Sequence, residues 1–213
     1  MSICPKVINS PMQSSRPFPP IKNAQRHSIV DIGYWTCELD SGDAKAIHNL
    51  VIDKQEQHKD FDLPIGNITM DLRQQITSAA CELLGRPYYI DAIWGVYTGP
   101  GQSVMAHSHW SNTWLNPEEH FSFCYYPLCQ EDDADMVIHI MYCNRLEKLE
   151  SISLRPGLMV IFGAYYQHMT TRQFPDRDRV SIAGNLYPYE PTGTPIQREM
   201  RQGVTSDDLW TAS

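Results

Sequence analysis

Two histidines one residue apart, His107 and His109 in "VMAHSHW", could aim two imidazoles at one point, because side chains at i and i+2 of an extended chain share a face. Neutral imidazole binds first-row transition metals, so the chemistry in prospect is a metal centre. Two ligands do not complete one, and a His-x-His pair on a strand is more often structural. A third donor is available in His168, which follows the apolar run Leu158 to Phe162 and a glycine-containing turn. Beyond it, "RVSIAGN" puts Arg179 and Ser181 on one face of a strand, opposite Val180 and Ile182. An arginine pointing inward among apolar neighbours requires an anion, and its planar fork matches a carboxylate.

These residues must be positioned by the elements around them. Residues 1 to about 26 are rich in Pro, Ser and Asn without a sustained period. They read as an extended arm that could lie across a neighbouring subunit and build a homo-oligomer. "SGDAKAIHNLVIDKQEQHK" places Ala44, Ile47, Leu50 and Val51 at helical spacing with Ser41 as N-cap, and "MDLRQQITSAACELLGRP" repeats the pattern through Leu72, Ile76, Ala79, Ala80, Leu83 and Leu84. Gly85 and Pro87 stop the second helix. From Tyr88 onward β-rich segments follow one another, separated by "GPG", "NPEE", "QEDDAD", "RPG" and "FPDRD". Two helices followed by strands give an α+β class, and the strands must close on each other as a double-stranded β-helix, or jelly roll. The expected division is an arm over 1–26, one domain with leading helices over 27–190, and a polar tail over 191–213.

Composition excludes several classes. The net charge of −8 and the lack of a Lys/Arg run give no support for nucleic-acid binding. No stretch approaches the roughly 20 apolar residues of a membrane span, and the first residues lack a signal-peptide core, so a cytoplasmic protein is expected. Cys4, Cys37, Cys81, Cys124, Cys129 and Cys143 form no CxxC pair and read as free thiols rather than a zinc cluster.

Over about residues 88 to 188 the sequence resembles the iron(II)- and 2-oxoglutarate-dependent dioxygenases, especially their prolyl-hydroxylase-like and phage-borne branches. The resemblance rests on His107-Ser-His109, on "PGLMVIF" before His168, and on "RVSIAGN", whose Arg179 lies 11 residues after His168. It implies a double-stranded β-helix in which His107 and His168 hold Fe(II). Arg179 would pair with the far carboxylate of 2-oxoglutarate, with Ser181 adding a hydrogen bond and Tyr97 and Tyr125 as further contacts. With O2 as oxidant, the implied reaction hydroxylates a C–H bond of a peptidyl or amino-acid-like substrate and releases succinate and CO2. A phage source would place it in the host cytoplasm.

Position 109 departs from the family pattern of two histidines and one carboxylate. His109 could replace the acid in a three-His site, the acid could come from Glu118 or Glu119, or metal binding could be lost; all three readings are open at this stage. Trp110, Trp114 and His139 are candidate substrate contacts, and His120, beside the two glutamates, is a loop residue with a secondary claim on the metal. The competing assignment is a cupin-like metal-binding protein or a 2-oxoglutarate-independent three-His dioxygenase.

Overall fold

Helix α1, Ala44–His58, buries Ile47 and Val51, and α2, Met70–Leu84, buries Leu72, Gln75, Ile76, Ala79 and Ala80. These positions recur at the three- and four-residue spacing that makes one apolar stripe. Asp71 lies in the first turn of α2, where a carboxylate meets the positive end of the helix dipole. At the other end Gly85 adopts a φ of 73°, and its N–H donates to the Cys81 carbonyl at 3.1 Å, ending α2 where the sequence places its stop.

A computed structural model describes residues 22–29, 32–40, 42–58, 62–64, 70–109, 119–130, 133–142 and 145–189. The arm up to residue 21, the tail from 190, Trp110, Trp114 and Glu118 lie outside the described residues. Ten strands are described. They are β1 (Lys22–Ile29), β2 (Ile32–Glu38), β3 (Asp62–Pro64), β4 (Tyr88–Thr98), β5 (Phe121–Tyr125), β6 (Met136–Tyr142), β7 (Arg145–Ile152), β8 (Leu158–Gly163), β9 (Gln167–Thr170) and β10 (Arg179–Pro188). Seven form one sheet in the order β1-β2-β8-β5-β10-β4-β3, and three form a second in the order β7-β6-β9. All named pairings are antiparallel. The α+β class and the double-stranded β-helix expected from the sequence are both present.

The large sheet is covered on two sides. One face sends Phe123, Tyr125, Ile161, Val180, Ile182 and Leu186 against Ile47, Val51, Leu72 and Ile76 of the helices. The other sends Cys124, Val160, Phe162 and Ala183 toward Met136 and Ile138 of the second sheet. Strands covered on both faces read as nearly continuous apolar runs, which is why every residue of "LMVIFG" is buried. Each buried branched side chain, Ile182 for example, contributes about 1.5–3 kcal/mol of transfer free energy.

Two features differ from the sequence expectation. A β1–β2 hairpin precedes the helices and joins the large sheet at β8, so residues 22–26 belong to β1 rather than to an arm. The reason is visible in β2. Tyr34 packs toward the second sheet while Cys37 and Trp35 pack toward the helices, and burial on both faces erases the polar–apolar alternation that marks a half-exposed strand. The second difference is in residues 104–109, which are not a continuous strand and meet β9 at an isolated antiparallel bridge between His107 and His168.

Candidate metal centre

That bridge builds the site. The His107 N–H donates to the His168 carbonyl at 3.1 Å and the His168 N–H to the His107 carbonyl at 2.8 Å, so the two residues are directly opposed and their side chains share a face. His109 stands two positions on, tied down by its N–H to the Ala164 carbonyl at 3.0 Å. The potential ligand atoms of His107, His109 and His168 all lie within 4.8 Å of one another. His109 Nε2 and His107 Nε2 are 3.2 Å apart. Adjacent ligands on an octahedral ion with bonds of about 2.1 Å would be roughly 3 Å apart.

Each ring is held through its other nitrogen. His107 Nδ1 lies 2.8 Å from the Met105 carbonyl oxygen and His168 Nδ1 lies 3.3 Å from that of Tyr166. A carbonyl only accepts, so both rings carry their proton on Nδ1 and present a lone pair at Nε2. His109 Nδ1 meets side chains instead: Asn185 Oδ1 at 2.9 Å and Ser122 Oγ at 2.9 Å. Ser122 Oγ also donates to Asn185 Oδ1 at 3.0 Å. Ser122 and Asn185 are cross-strand partners of β5 and β10. Burial, reinforced by the neighbouring His107, lowers the His109 pKa to about 4 despite the opposing bond to Asn185. Burial and the other two histidines hold His168 well below its ordinary value. Both rings are therefore neutral at pH 7, the form that ligates. The Phe162 ring, 4.5 Å from that of His168, and the Trp94 ring, 5.1 Å from that of His109, wall the centre.

Along β10, on the face that carries Asn185, stand Ala183, Ser181 and Arg179. Arg179 is only 1% exposed. Its Nη1 donates to the Ala134 carbonyl at 2.7 Å, while Nε and Nη2 are buried without a hydrogen-bond partner. Nε and Nη2 form the edge of the guanidinium that grips a carboxylate with two parallel bonds. A buried cation with two unpartnered donors is costly unless an anion joins it. The donor set therefore fits a dication held by three imidazoles and a carboxylate held by Arg179, the two functional ends of a metal-chelating keto diacid.

No family model and no curated protein sequence matches this chain. Solved structures do match. AviO1 from Streptomyces viridochromogenes Tue57 is 12% identical, with a TM-score of 0.54 over 77% of this chain and 92% of its own. SnoN, a non-heme alpha ketoglutarate dependent epimerase from nogalamycin biosynthesis, is 14% identical, with a TM-score of 0.56 over 83% of this chain and 90% of its own. HygX from Streptomyces hygroscopicus, solved with nickel and 2-oxoglutarate bound, is 11% identical, with a TM-score of 0.55 over 74% of this chain and 83% of its own. The fold is that of the non-heme 2-oxoglutarate-dependent oxygenases. At these identities the likeness is one of fold.

Within this oxygenase fold the structure brings together His107, His109 and His168, and puts Arg179 and Ser181 on the inner face. It does not bring Tyr97 and Tyr125 there. Tyr97 is the register partner of Val180 and Tyr125 of Ile182, so both lie on the helix-facing side of the sheet, opposite Arg179. The tyrosine that reaches the arginine is Tyr126, one residue on, whose ring centroid is 5.9 Å from the guanidinium carbon. His139 is on the other face of its strand from Ile138, the residue that pairs with His168, and shares that face with Gln167. Glu119 forms an ion pair with Arg86 at 2.6 Å and is not part of the histidine cluster. The His120 ring lies 4.6 Å from that of Tyr187, tilted by 52°, and is likewise outside the cluster. Among the described residues the candidate metal group is made of histidines alone. Sequence reasoning missed Ser122 and Asn185. Their signal was parity: Asn185 shares that of Arg179 and Ser181, and Ser122 is the hydroxyl set between aromatics in "FSFCYY".

Proposed function

We propose that this chain is an Fe(II)- and 2-oxoglutarate-dependent oxygenase in which His107, His109 and His168 hold the metal and Arg179, with Ser181, holds the far carboxylate of the cosubstrate. The observation that carries this reading is the buried Arg179 with its Nε and Nη2 unpartnered, on the same strand face as the residue that supports His109. Three neutral imidazoles leave a bound dication its full charge, which favours a dianionic chelate over a neutral one. When bound, the metal and 2-oxoglutarate supply O2 activation, and succinate and CO2 leave as by-products. The chain's part is to orient the three rings, to anchor a carboxylate, and to keep water out with Ile138, Phe162 and Tyr166, all buried.

The outcome we assign is hydroxylation of a C–H bond in a peptidyl or amino-acid-like substrate. SnoN, an epimerase, has a similar fold and a different outcome, so the scaffold alone does not decide between them. Trp110 and Trp114, next along the chain from His109, are retained as substrate contacts. A second reading, a 2-oxoglutarate-independent three-His dioxygenase or cupin-like metal-binding protein, is favoured by the lack of a carboxylate in the cluster among the described residues. It gives Arg179 no role.

Anaerobic titration of metal-free protein with Fe(II) and then 2-oxoglutarate separates the two. A visible charge-transfer band in the wild type that is lost in Arg179→Ala with metal content intact supports the oxygenase. Metal binding with no band in the wild type favours the second reading, and failure to bind metal overturns both.

A further inference from the structure

The three imidazoles are not fixed in the same way. Backbone carbonyls, which can only accept, hold His107 and His168 with the proton on Nδ1. His109 is the ring whose tautomer is left to side chains, and it occupies the position of the acid in the family pattern. If its proton were on Nε2, it would point across 3.2 Å at the His107 Nε2 lone pair and make a hydrogen bond there. That arrangement would close the metal site by pairing two of its three ligands with each other.

We infer that Asn185, supported by Ser122, is a positioning residue that keeps the His109 proton on Nδ1 and so frees Nε2 to bind metal. Asn185 Oδ1 is 2.9 Å from His109 Nδ1 and accepts a second bond from the Ser122 hydroxyl at 3.0 Å. With its hydroxyl hydrogen committed to Asn185, Ser122 faces the imidazole as an acceptor, at 2.9 Å. Two acceptors on one nitrogen demand a proton between them. Ser122 is fully buried, so water does not compete for its hydroxyl. The two residues face each other across β5 and β10, which lie in the middle of the large sheet, and the acceptor pair is therefore rigid. Outer residues of this kind set ligand orientation and basicity, and their loss typically costs 10- to 100-fold in metal affinity. The inference rests on the proposed metal site but not on 2-oxoglutarate.

The test reads the tautomer directly. Long-range proton–nitrogen correlation spectra of 15N-labelled, metal-free protein near neutral pH, assigned with the His109→Gln spectrum, should show His109 protonated at Nδ1. In Asn185→Leu the Ser122 hydroxyl is released to donate to Nδ1, so the proton should move to Nε2 and the affinity for Ni(II), measured by chelator competition, should fall about 10- to 100-fold. Asn185→Asp, an obligate acceptor, should keep the wild-type tautomer and bind Ni(II) at least as tightly, and Ser122→Ala should keep the tautomer with a smaller loss. A purely structural role would lower melting temperature and affinity without moving the proton. A wild-type spectrum with the proton on Nε2, or an Asn185→Leu protein with wild-type tautomer and affinity, overturns the inference. If Asn185→Leu does not fold, Asn185→Asp decides, because weaker Ni(II) binding in it is equally fatal. Metal affinities that follow the tautomer in a protein giving no 2-oxoglutarate band would leave this inference standing and remove the oxygenase reading instead.

Discussion

The inner face of β10 carries two polar ends that are finished differently. Around Asn185 every polar atom named has a partner: Ser122, Asn185 and His109 close on one another, and the rings of His107 and His168 rest on carbonyls. Around Arg179 one donor is used and two are not. A satisfied network costs little to bury and can be built in advance, which suits ligands that must be oriented before a metal arrives. An unsatisfied buried cation destabilises the chain that carries it, which suits a site completed by an anion that comes and goes. On the proposed reading, the comparison separates a metal centre organised by the protein itself from an anchor organised by its ligand.

The largest effect should come from the organised end. His168→Ala removes the ring opposed to His107, and Fe(II) stoichiometry measured after anaerobic loading should fall from near one to near zero. Retained stoichiometric iron would remove His168 from the ligand set. At the other end, Arg179→Met should abolish 2-oxoglutarate binding, by at least about 100-fold, while raising the stability of the ligand-free protein by on the order of 1 kcal/mol in urea titration. A large loss of stability in that variant would mean that Arg179 is a structural cation, and the contrast between the two ends would collapse.

A smaller effect discriminates neighbouring tyrosines. Tyr126→Phe, beside the guanidinium, should weaken 2-oxoglutarate several-fold by titration of the chelate band, whereas Tyr125→Phe, on the helix side, should leave it unchanged. Equal effects would place the cosubstrate elsewhere. The smallest expected signal concerns Cys124 near Arg179. Burial pushes its thiol from 9.0 up to about 12, although Arg179 and a hydrogen bond with Tyr126 oppose the shift. The folded state keeps the proton that the unfolded state releases, so its contribution to stability is complete below pH 9 and is lost as pH rises toward 12. Alkylation of Cys124 by iodoacetamide at mildly alkaline pH should accordingly be slow in the native protein and fast in denaturant; fast native labelling would show an accessible thiolate.

The helices were legible because Leu72, Ile76, Ala79 and Ala80 repeat on one stripe and Gly85 ends it. The β1–β2 hairpin was not, because β2 is packed on both faces and loses its alternation. Within the site, His107, His109, Arg179 and Ser181 were legible from spacing along single segments. That Tyr125 and Tyr97 lie on the side opposite Arg179, and His139 on the face opposite Ile138, was not legible for a related reason. Parity along a strand says which residues go together, but not which of the two faces holds the site, and a one-residue error exchanges one face for the other.

By itself the sequence determined the class of the fold, the shared face of Arg179 and Ser181, and the presence of three histidines able to ligate. Those are properties of local periodicity, which the order of residues carries directly. Only the tertiary structure decided that His107 stands opposite His168, that Ser122 meets Asn185 beneath His109, that Glu119 is engaged by Arg86, and that Tyr126 rather than Tyr125 approaches Arg179. Each of these depends on register or packing between segments distant in the chain, and those are fixed by the burial of both faces of the large sheet rather than by any motif within one strand.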